Sequence, residues 1–175
     1  TTYHTGLLGE HQIGPLVAVV AIARELGLSD EQIKRGIAKT MPYEHRMQPK
    51  PLHGAWIIDD AYNGNIEGMR AGLDLLIKLP AKRRIYVTPG LVDQGVENER
   101  VHTELGGLIA KADPDRVVLM ENTNTQYIIR GLDTGGYKGD ISIESDPLGY
   151  YLGLEHQVAA GDVVMLQNDL PDSYK

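Results

Sequence analysis

The sequence predicts an α/β protein with a Rossmann-like, doubly wound and mostly parallel sheet, preceded by a short helical segment. Two observations support this prediction. From residue 55 onward, short apolar runs alternate with longer segments of helical periodicity, and turn-forming residues separate them. Before residue 40, only helical patterns occur. An alternation of strands and helices favours parallel strands joined by right-handed crossovers, with helices on both faces of the sheet.

Two helices are predicted at the start of the chain. Apolar residues recur at helical spacing from Pro15 to Leu26, proline suits the first turn of a helix, and Gly27 is a typical helix end. Ser29, with Gln32 three positions later, has the pattern of a capping box, so a second short helix follows. We expect the two helices to form an αα-hairpin.

The segment from Met41 to Leu52 is the predicted domain boundary. It contains three prolines and several charges, which is typical of an extended connection. We therefore divide the chain into residues 1–40 and residues 41–175. In the second part we expect five strands alternating with four helices, with strands at 55–58, 84–87, 116–120, 140–143 and 162–166, and helices at 65–78, 97–112, 125–132 and 147–157.

The composition excludes several classes of function. A formal net charge of −7, with no clustered basic face, is unsuited to nucleic acid binding, which depends on contacts to phosphates. No apolar stretch approaches the roughly 20 residues that a membrane span needs. Cysteine is absent, so disulfides and thiolate metal sites are impossible and a cytoplasmic location is compatible. We expect no nucleic acid partner, no membrane association and no metal site in this chain.

The motifs that are missing narrow the function further. The sequence has no GxGxxG after the first strand, no GxxxxGK[ST] and no G-x-S-x-G. We therefore expect that this chain cannot cradle nucleotide phosphates by itself. It begins at Thr1 without an initiating methionine, and we expect it to be part of a longer protein.

The candidate chemistry lies where the predicted strands end, because ligands of such sheets bind beyond the carboxyl ends of the strands. The first strand ends in Asp59 and Asp60, and Asn65 follows at the expected start of a helix. A carboxylate at this position can accept both hydroxyls of a ribose, and an asparagine can cap the helix. The alternative interpretation is that both aspartates are solvated turn residues.

Three other strand ends and the linker carry polar residues. The loop at 88–95 contains two glycines and a proline, and loops of that kind often carry function. The end at 121–124 could be a simple helix cap, whereas the end at 167–172 could orient an amine or be an ordinary polar tail. In the linker, Arg46 could clamp a phosphate with its planar guanidinium, or it could be an ordinary surface arginine. His102 lies on a predicted helix face and is expected to be structural.

Five motifs, taken in order, resemble those of the Mur ligases. They are Gly9-x-His11, Glu44 to Gln48, Ile57 to Asn65, Val87 to Gly95 and Gln167 to Asp172. Together they cover nearly the whole chain. The resemblance is closest to the branch of the family that adds D-alanyl-D-alanine.

The resemblance implies a fold, a reaction and a set of partners. Mur ligases have a UDP-sugar-binding domain, a central ATPase domain and a Rossmann-like C-terminal domain. ATP phosphorylates a substrate carboxylate, and an incoming amine attacks the acyl phosphate. Residues 1–40 would be the helical tail of the central domain, and residues 41–175 the C-terminal domain. The implied partners are ATP or ADP, a UDP-linked muramyl peptide, an amino acid or dipeptide, and the missing N-terminal and central domains.

The implied setting is the synthesis of peptidoglycan precursors in the cytoplasm. Magnesium would accompany ATP, with its ligands and the phosphate-binding loop in the upstream part of the protein. Residue by residue, Arg46 matches the arginine that contacts the terminal phosphate and serves catalysis, and Asp60 matches the aspartate that holds the ribose. Further nucleotide contacts are implied for Tyr62, Asn63, His11 and Gln12. Contacts to the incoming amine are implied for Asn65, Asp93, Asn168 and Asp169.

The chain departs from the family pattern at several positions. Gln12 and Pro15 stand where the family has asparagines, Ala61 stands where serine is usual, and Ile66 stands where proline is usual. The adenine contacts and the identity of the amine are therefore open, and a catalytically inactive binding module derived from a Mur ligase is an alternative. A phospho-accepting signalling receiver is rejected, because the third predicted strand is not followed by an aspartate or the fifth by a lysine.

Overall fold

Six strands and six α-helices make up the part of the chain that the computed structural model describes, residues 1–168. The α/β, Rossmann-like fold class is confirmed. The strands are β1 (Gln48–Leu52), β2 (Ala55–Asp60), β3 (Arg83–Thr88), β4 (Arg116–Met120), β5 (Asp140–Glu144) and β6 (Asp162–Gln167). The helices are α1 (Ile13–Glu25), α2 (Asp30–Ile37), α3 (Ile66–Lys78), α4 (Asn98–Ala112), α5 (Thr125–Thr134) and α6 (Pro147–Leu152).

The strand order in the sheet is β1-β2-β6-β3-β4-β5. All neighbours are parallel except β1 and β2, which are antiparallel. The chain moves outward from β2 to β5 and then returns, so that β6 lies between β2 and β3. Right-handed crossovers in the outward direction place α3, α4 and α5 on one face, and the reversed crossover places α6 on the other. The two apolar cores, one on each face, follow this division.

Strand β1 corrects the prediction for the linker. We expected an extended connection there, because the segment contains three prolines and several charges. Pro49 and Pro51 are tolerated because β1 is an edge strand and both occupy the same side of its alternation, where a missing N–H need not face β2. The hairpin turn at His53 and Gly54 has φ values of 48° and 81°, as a type I′ turn requires. The sheet therefore has one strand more than the five predicted.

The larger core lies under α3, α4 and α5, where α4 and α5 cross at unusually close range. A methyl group on Gly106 would overlap the backbone carbonyl of Ile128, and one on Gly131 would overlap the carbonyl of Thr103. Within residues 1–168, the helical cover of the opposite face consists of the six-residue α6 and a 3-10 turn at Leu154–His156. The predicted helix at 147–157 is therefore shorter than expected and breaks at Gly153.

The N-terminal segment differs from the sheet in its burial. The predicted capping box is present, since Gln32 N donates to Ser29 Oγ and Ser29 N donates to Gln32 Oε1. Helix α1 is rich in apolar residues, yet none of them is buried among residues 1–168. Helix α1 contacts α2, where Arg24 forms an ion pair of 3.0 Å with Asp30. In the segment before α1, Glu10 forms an ion pair of 2.8 Å with Lys78 on α3. Within the described range, no helix has the length and apolar character needed to cross a membrane.

Candidate functional site at the carboxyl edge of the sheet

A cleft of about 540 Å³ opens where β2 and β6 end, and we call it the strand-end cleft. One wall is formed by the segment before β1, another by the first turns of α3, and a third by the 3-10 turn Glu10–Gln12, which precedes α1. Six of the residues singled out from the sequence line it: His11, Gln12, Arg46, Asp60, Asn63 and Asn65. The remaining lining residues are Met47, Gly64, Glu67, Gly68 and Ala71.

Asp60 is the acidic group of the cleft. One carboxylate oxygen, Oδ1, accepts the backbone N–H of Met47 at 3.1 Å, and the other, Oδ2, accepts an N–H of the Gln167 side chain at 2.8 Å. Burial raises the pKa of the Asp60 carboxyl above its usual value, against the opposing effect of these two hydrogen bonds and of the nearby Arg46 charge. Each carboxylate oxygen can accept a second hydrogen bond, so Asp60 has capacity for a ligand with hydroxyl donors.

Arg46 is held in place by its neighbours on the loop after β2. Its guanidinium donates to the backbone carbonyl of Asn63 at 3.0 Å and to Asn63 Oδ1 at 2.7 Å. The same group lies over the Tyr62 ring, 4.5 Å from its centroid. Arg46 is therefore not an ordinary surface arginine with a free side chain. Two of its five N–H donors are used in this way, and the others remain for an anion.

Asp59 has a different role from Asp60, although the two are adjacent. It is 6% exposed, and its carboxylate accepts from Lys50 Nζ at 2.6 Å, His45 Nδ1 at 2.8 Å and the Ala61 amide at 3.2 Å. Burial acts to raise the pKa of Asp59, but these hydrogen bonds outweigh it and hold that pKa below its usual value. The interpretation of Asp59 as a solvated turn residue is wrong. It fastens β1 and the Arg46 loop to the end of β2.

The other side of the cleft comes from the N-terminal segment and α3. His11 and Gln12 line the cleft. They are joined by a hydrogen bond of 2.9 Å, in which Gln12 Nε2 donates to His11 Nε2. Asn65 caps α3 as predicted, since its Oδ1 accepts the Gly68 amide at 2.8 Å. The Asn65 side-chain oxygen is thus already engaged by the helix.

A second, smaller site lies in the loop after β3, and we call it the loop pocket. It measures about 250 Å³ and is lined by residues 89–95, by Asn98 and by residues 122–124. Asp93 is exposed there with φ 57°, and it makes no hydrogen bond or ion pair with any described residue. The loop is fastened from below, because Asn122 Nδ2 donates to the Pro89 carbonyl at 2.8 Å and His102 Nε2 accepts the Leu91 amide at 2.9 Å.

His102 is structural, as expected, but its role was not foreseen. It is fully buried, and its Nδ1 donates to the Asn98 carbonyl at 2.7 Å while Nε2 accepts from Leu91. Burial lowers the pKa of His102, so the neutral ring is favoured, as this pair of bonds requires.

Of the four residues implied for the amine, the three that the structure describes do not gather in one place. Asn65 lines the strand-end cleft and Asp93 lines the loop pocket. Asn168 lies buried between the two, where its side chain donates to the Gly90 carbonyl at 2.6 Å and its amide donates to the Asp60 carbonyl at 3.1 Å. Asp169 lies outside the described residues. Sequence reasoning also missed Gln167 as a partner of Asp60. The sequence marked Gln167 as the polar end of an apolar strand and as the start of a motif, but neither signal pointed to Asp60.

Comparison with known proteins gives a consistent result. A sequence profile described as "Mur ligase, glutamate ligase domain" matches residues 45–167. The UDP-N-acetylmuramoyl-tripeptide–D-alanyl-D-alanine ligase of Mycobacterium leprae is 28% identical over 186 residues, covering 95% of this chain and 36% of that protein. The ligase of the same name from Escherichia coli is 30% identical over 113 residues, covering 64% of this chain and 25% of that protein.

Solved structures show the same fold. MurF ligase from Thermotoga maritima, solved in complex with ADP, superimposes with a TM-score of 0.74 at 21% identity, over 97% of this chain and 36% of that one. MurF from Acinetobacter baumannii gives 0.77 at 21% identity, over 96% of this chain and 36% of that one. The chain thus spans about a third or less of the length of these relatives.

Proposed function

Because the chain belongs to the Mur ligase family, through its glutamate ligase domain, we propose that it is the C-terminal part of an ATP-dependent ligase. The ligase would join a carboxylate of a UDP-linked muramyl peptide to the amine of an amino acid or dipeptide, in peptidoglycan precursor synthesis. The relatives named UDP-N-acetylmuramoyl-tripeptide–D-alanyl-D-alanine ligase support a dipeptide as the amine. A cytoplasmic location is part of the same proposal.

One observation carries the proposal for this chain's own residues: Arg46 and Asp60 line the same cleft. They approach it from different elements, the segment before β1 and the end of β2. In the proposed role, Asp60 accepts the ribose hydroxyls of ATP, and Arg46 neutralises charge on the terminal phosphate. Catalysis of phosphoryl transfer depends chiefly on such positioning and charge neutralisation, so fixed side chains suit it.

The remaining cleft residues are proposed to complete the nucleotide site. Tyr62 and Asn63 hold Arg46, while His11 and Gln12 form the wall opposite Asp60. Gln12 is a longer amide than the asparagine usual in the family, and it is bonded to His11, so the base contacts are proposed to be made by this pair as a unit.

Magnesium is proposed to reach the site with ATP and to be held by residues upstream of this chain. Residues 1–168 contain no cluster of three His, Asp or Glu side chains arranged to hold a metal ion. When bound, magnesium would neutralise the phosphate charge. Of the described residues singled out in this chain, Arg46 alone is proposed to contribute to neutralising the phosphate charge.

Residues 1–40 are proposed to be the helical tail of the central ATPase domain. The support is helix α1, which is strongly apolar but leaves Val17 62% and Ile22 60% exposed. A helix with apolar residues all round is ordinarily buried in a larger protein. Its cover would be the rest of the central domain.

The loop pocket is proposed to receive the incoming amine. Asp93 supplies a carboxylate with no partner among residues 1–168, which suits an ammonium group. Asn65 is proposed to contact the amine substrate from the side of the cleft, as is Asp169 beyond the described residues. Asn168 is buried, and it is proposed to serve the amine site through its hydrogen bond to the Gly90 carbonyl.

The test uses the protein as encoded in full, with ATP, the UDP-linked muramyl tripeptide and D-alanyl-D-alanine. We expect phosphate release that requires all three substrates. Asp60→Asn is expected to raise KM for ATP by at least about tenfold, since hydrogen bonds to a charged group contribute roughly 1.5–3 kcal/mol. The control is Asp133→Asn, an exposed aspartate on α5, which should leave KM unchanged.

Two results would contradict this assignment. If the full protein binds ADP but releases no phosphate with any muramyl peptide and amine, the inactive binding module is the correct alternative. If neither ADP binding nor phosphate release is detected, the strand-end cleft is not a nucleotide site.

A further inference from the structure

Gln167 is the last residue of β6, and its side chain forms the only side-chain link to Asp60 among residues 1–168. In the parallel register, Gln167 lies directly opposite Asp60 on the neighbouring strand, so both side chains leave the sheet on the same face. Gln167 is 1% exposed. A ligand in the cleft would therefore meet Asp60 and not the glutamine behind it.

The hydrogen bonds of Gln167 determine which way its amide points. Nε2 donates to Asp60 Oδ2 at 2.8 Å and to the Gly68 carbonyl on α3 at 3.1 Å. Oε1 accepts from the Tyr86 hydroxyl at 2.9 Å. With a carboxylate and a carbonyl on one side and a hydroxyl donor on the other, only one orientation satisfies all three neighbours. Turning the amide over would set its oxygen against the Asp60 carboxylate.

Tyr86 secures the amide from below. It lies on β3, it is fully buried, and its hydroxyl has Gln167 as its partner. On the other side, α3 comes so close that a methyl group on Gly72 would overlap the Gln167 amide. The amide is thus confined between β3 and α3, with Asp60 as its outermost contact.

We propose that Gln167 is a positioning residue for nucleotide binding: its amide, held by Tyr86, fixes the Asp60 carboxylate in the orientation that receives the ribose hydroxyls. Gln167 acts through Asp60 and does not touch the nucleotide. The proposal rests on the function proposed above. It extends the nucleotide site to Gln167, whose motif was assigned only to the amine, and to the buried Tyr86, which lies outside the five motifs.

The chemistry of Asp60 explains why such a partner is needed. Burial favours the protonated form of Asp60, whereas ribose recognition needs the carboxylate, which accepts from both hydroxyls. A neutral amide donor stabilises the carboxylate without occupying the cleft. It also prevents rotation of the carboxylate, which would cost binding affinity if it had to be frozen by the ligand.

The experiment compares the affinity of the protein as encoded in full for ADP and for 2′,3′-dideoxy-ADP, measured by calorimetry. The dissociation constant for 2′,3′-dideoxy-ADP divided by that for ADP reports the contribution of the ribose hydroxyls. We expect Gln167→Met, which keeps the volume but removes the donor, to reduce this ratio by about tenfold. Gly72→Ala keeps the glutamine at position 167, but the added methyl group would displace its amide. This variant should also reduce the ratio.

Tyr86→Phe and Tyr137→Phe form a matched pair for Tyr86. Each removes one buried hydroxyl that makes a hydrogen bond, but Tyr137 donates to the Pro114 carbonyl at 2.7 Å, away from the cleft. Both should lower stability to a similar extent. Only Tyr86→Phe should lower the ribose ratio, because a purely structural role would not distinguish the two nucleotides.

The outcomes separate the two proposals. If the wild type binds both nucleotides equally, the ribose role of Asp60 is wrong and the function proposed for the cleft fails. If the wild type prefers ADP and the variants at Gln167, Gly72 and Tyr86 keep that preference unchanged, the function stands and the positioning role of Gln167 is overturned.

Discussion

The strand-end cleft and the loop pocket lie on the same edge of the sheet, but they differ in which groups are held by hydrogen bonds. In the cleft, the candidate functional side chains are themselves restrained, since Asp60 and Arg46 each make two hydrogen bonds to protein groups. In the loop pocket, the side chains of Asn122 and the buried His102 restrain the backbone instead, and Asp93 is left exposed. Restrained side chains suit a ligand whose structure is constant. An exposed side chain on a restrained loop suits a ligand whose structure varies.

This difference fits the proposed division of labour. All reactions of the family would use the same nucleotide, and a preorganised site binds it with little loss of side-chain entropy. The amine would differ between relatives, and a loop can change its residues without disturbing the sheet. The two sites are nevertheless neighbours, because Asn168 contacts the Asp60 backbone with its amide and the Gly90 backbone with its side chain.

The largest expected effect comes from breaking the anchor of the cleft with Asp59→Asn. The buried carboxylate holds Lys50 and His45, so its loss should lower the free energy of unfolding by about 1–3 kcal/mol, measured in urea at pH 7. Lys50 and His45 are each more than 40% exposed, which keeps the value below that of a fully buried pair. Asp60→Asn is the control and should cost less, because burial already opposes its charge.

Acid should weaken this anchor in the wild type. The folded-state pKa of Asp59 is below its usual value, so its contribution is present above the unfolded-state pKa of about 3.9 and is lost as pH falls through the folded-state pKa. The difference in stability between the wild type and Asp59→Asn should shrink over that range. An unchanged difference at pH 2 would contradict the anchoring role.

A smaller effect is expected in the loop pocket from His102→Gln, whose amide oxygen can replace Nε2 as the acceptor for Leu91. Burial lowers the pKa of His102, so its stabilising contribution is present above about pH 6.5 and lost as pH falls below that value toward the folded-state pKa. The wild type should therefore lose stability between pH 7.5 and 5.5 that the variant retains. Equal pH dependence of the two proteins would show that the ring does not titrate with folding.

The smallest effect on stability is expected from Asp93→Asn. An exposed side chain without a described partner should change the free energy of unfolding by less than about 0.5 kcal/mol. We also expect Asp93→Asn to raise KM for the amine and to leave KM for ATP unchanged. Asp93 would then affect substrate binding but not stability, in contrast to Asp59. A rise in KM for ATP alone would place Asp93 with the nucleotide and would remove the distinction between the two sites.

Local patterns were sufficient to predict most of the fold. The alternation of apolar runs and helical segments gave the five parallel strands, and the Ser29 and Asn65 caps were both predicted from one or two residues. Strand β1 was missed because Pro49 and Pro51 are read locally as breaking a strand. They are acceptable only at the edge of a sheet, and edge position is a property of the whole topology.

The site was predictable in its residues but not in its connections. Asp60 and Arg46 could be named from motifs, whereas their partners depend on strand order. Gln167 reaches Asp60 because β6 returns to the middle of the sheet, 107 positions along the chain. Likewise, the different fates of Asp59 and Asp60 follow from the alternation of a strand, which turns adjacent side chains to opposite faces.

The close crossing of α4 and α5 has a consequence for how the loop pocket can move. Both helices begin beside the pocket, where Asn98 Nδ2 donates to Asn124 Oδ1 at 2.7 Å. With Gly106 and Gly131 in backbone contact, the two helices interlock and cannot shear past each other without a collision. Any opening of this pocket must therefore be confined to residues 92–95, because Pro89 and Leu91 are hydrogen-bonded to the stationary floor.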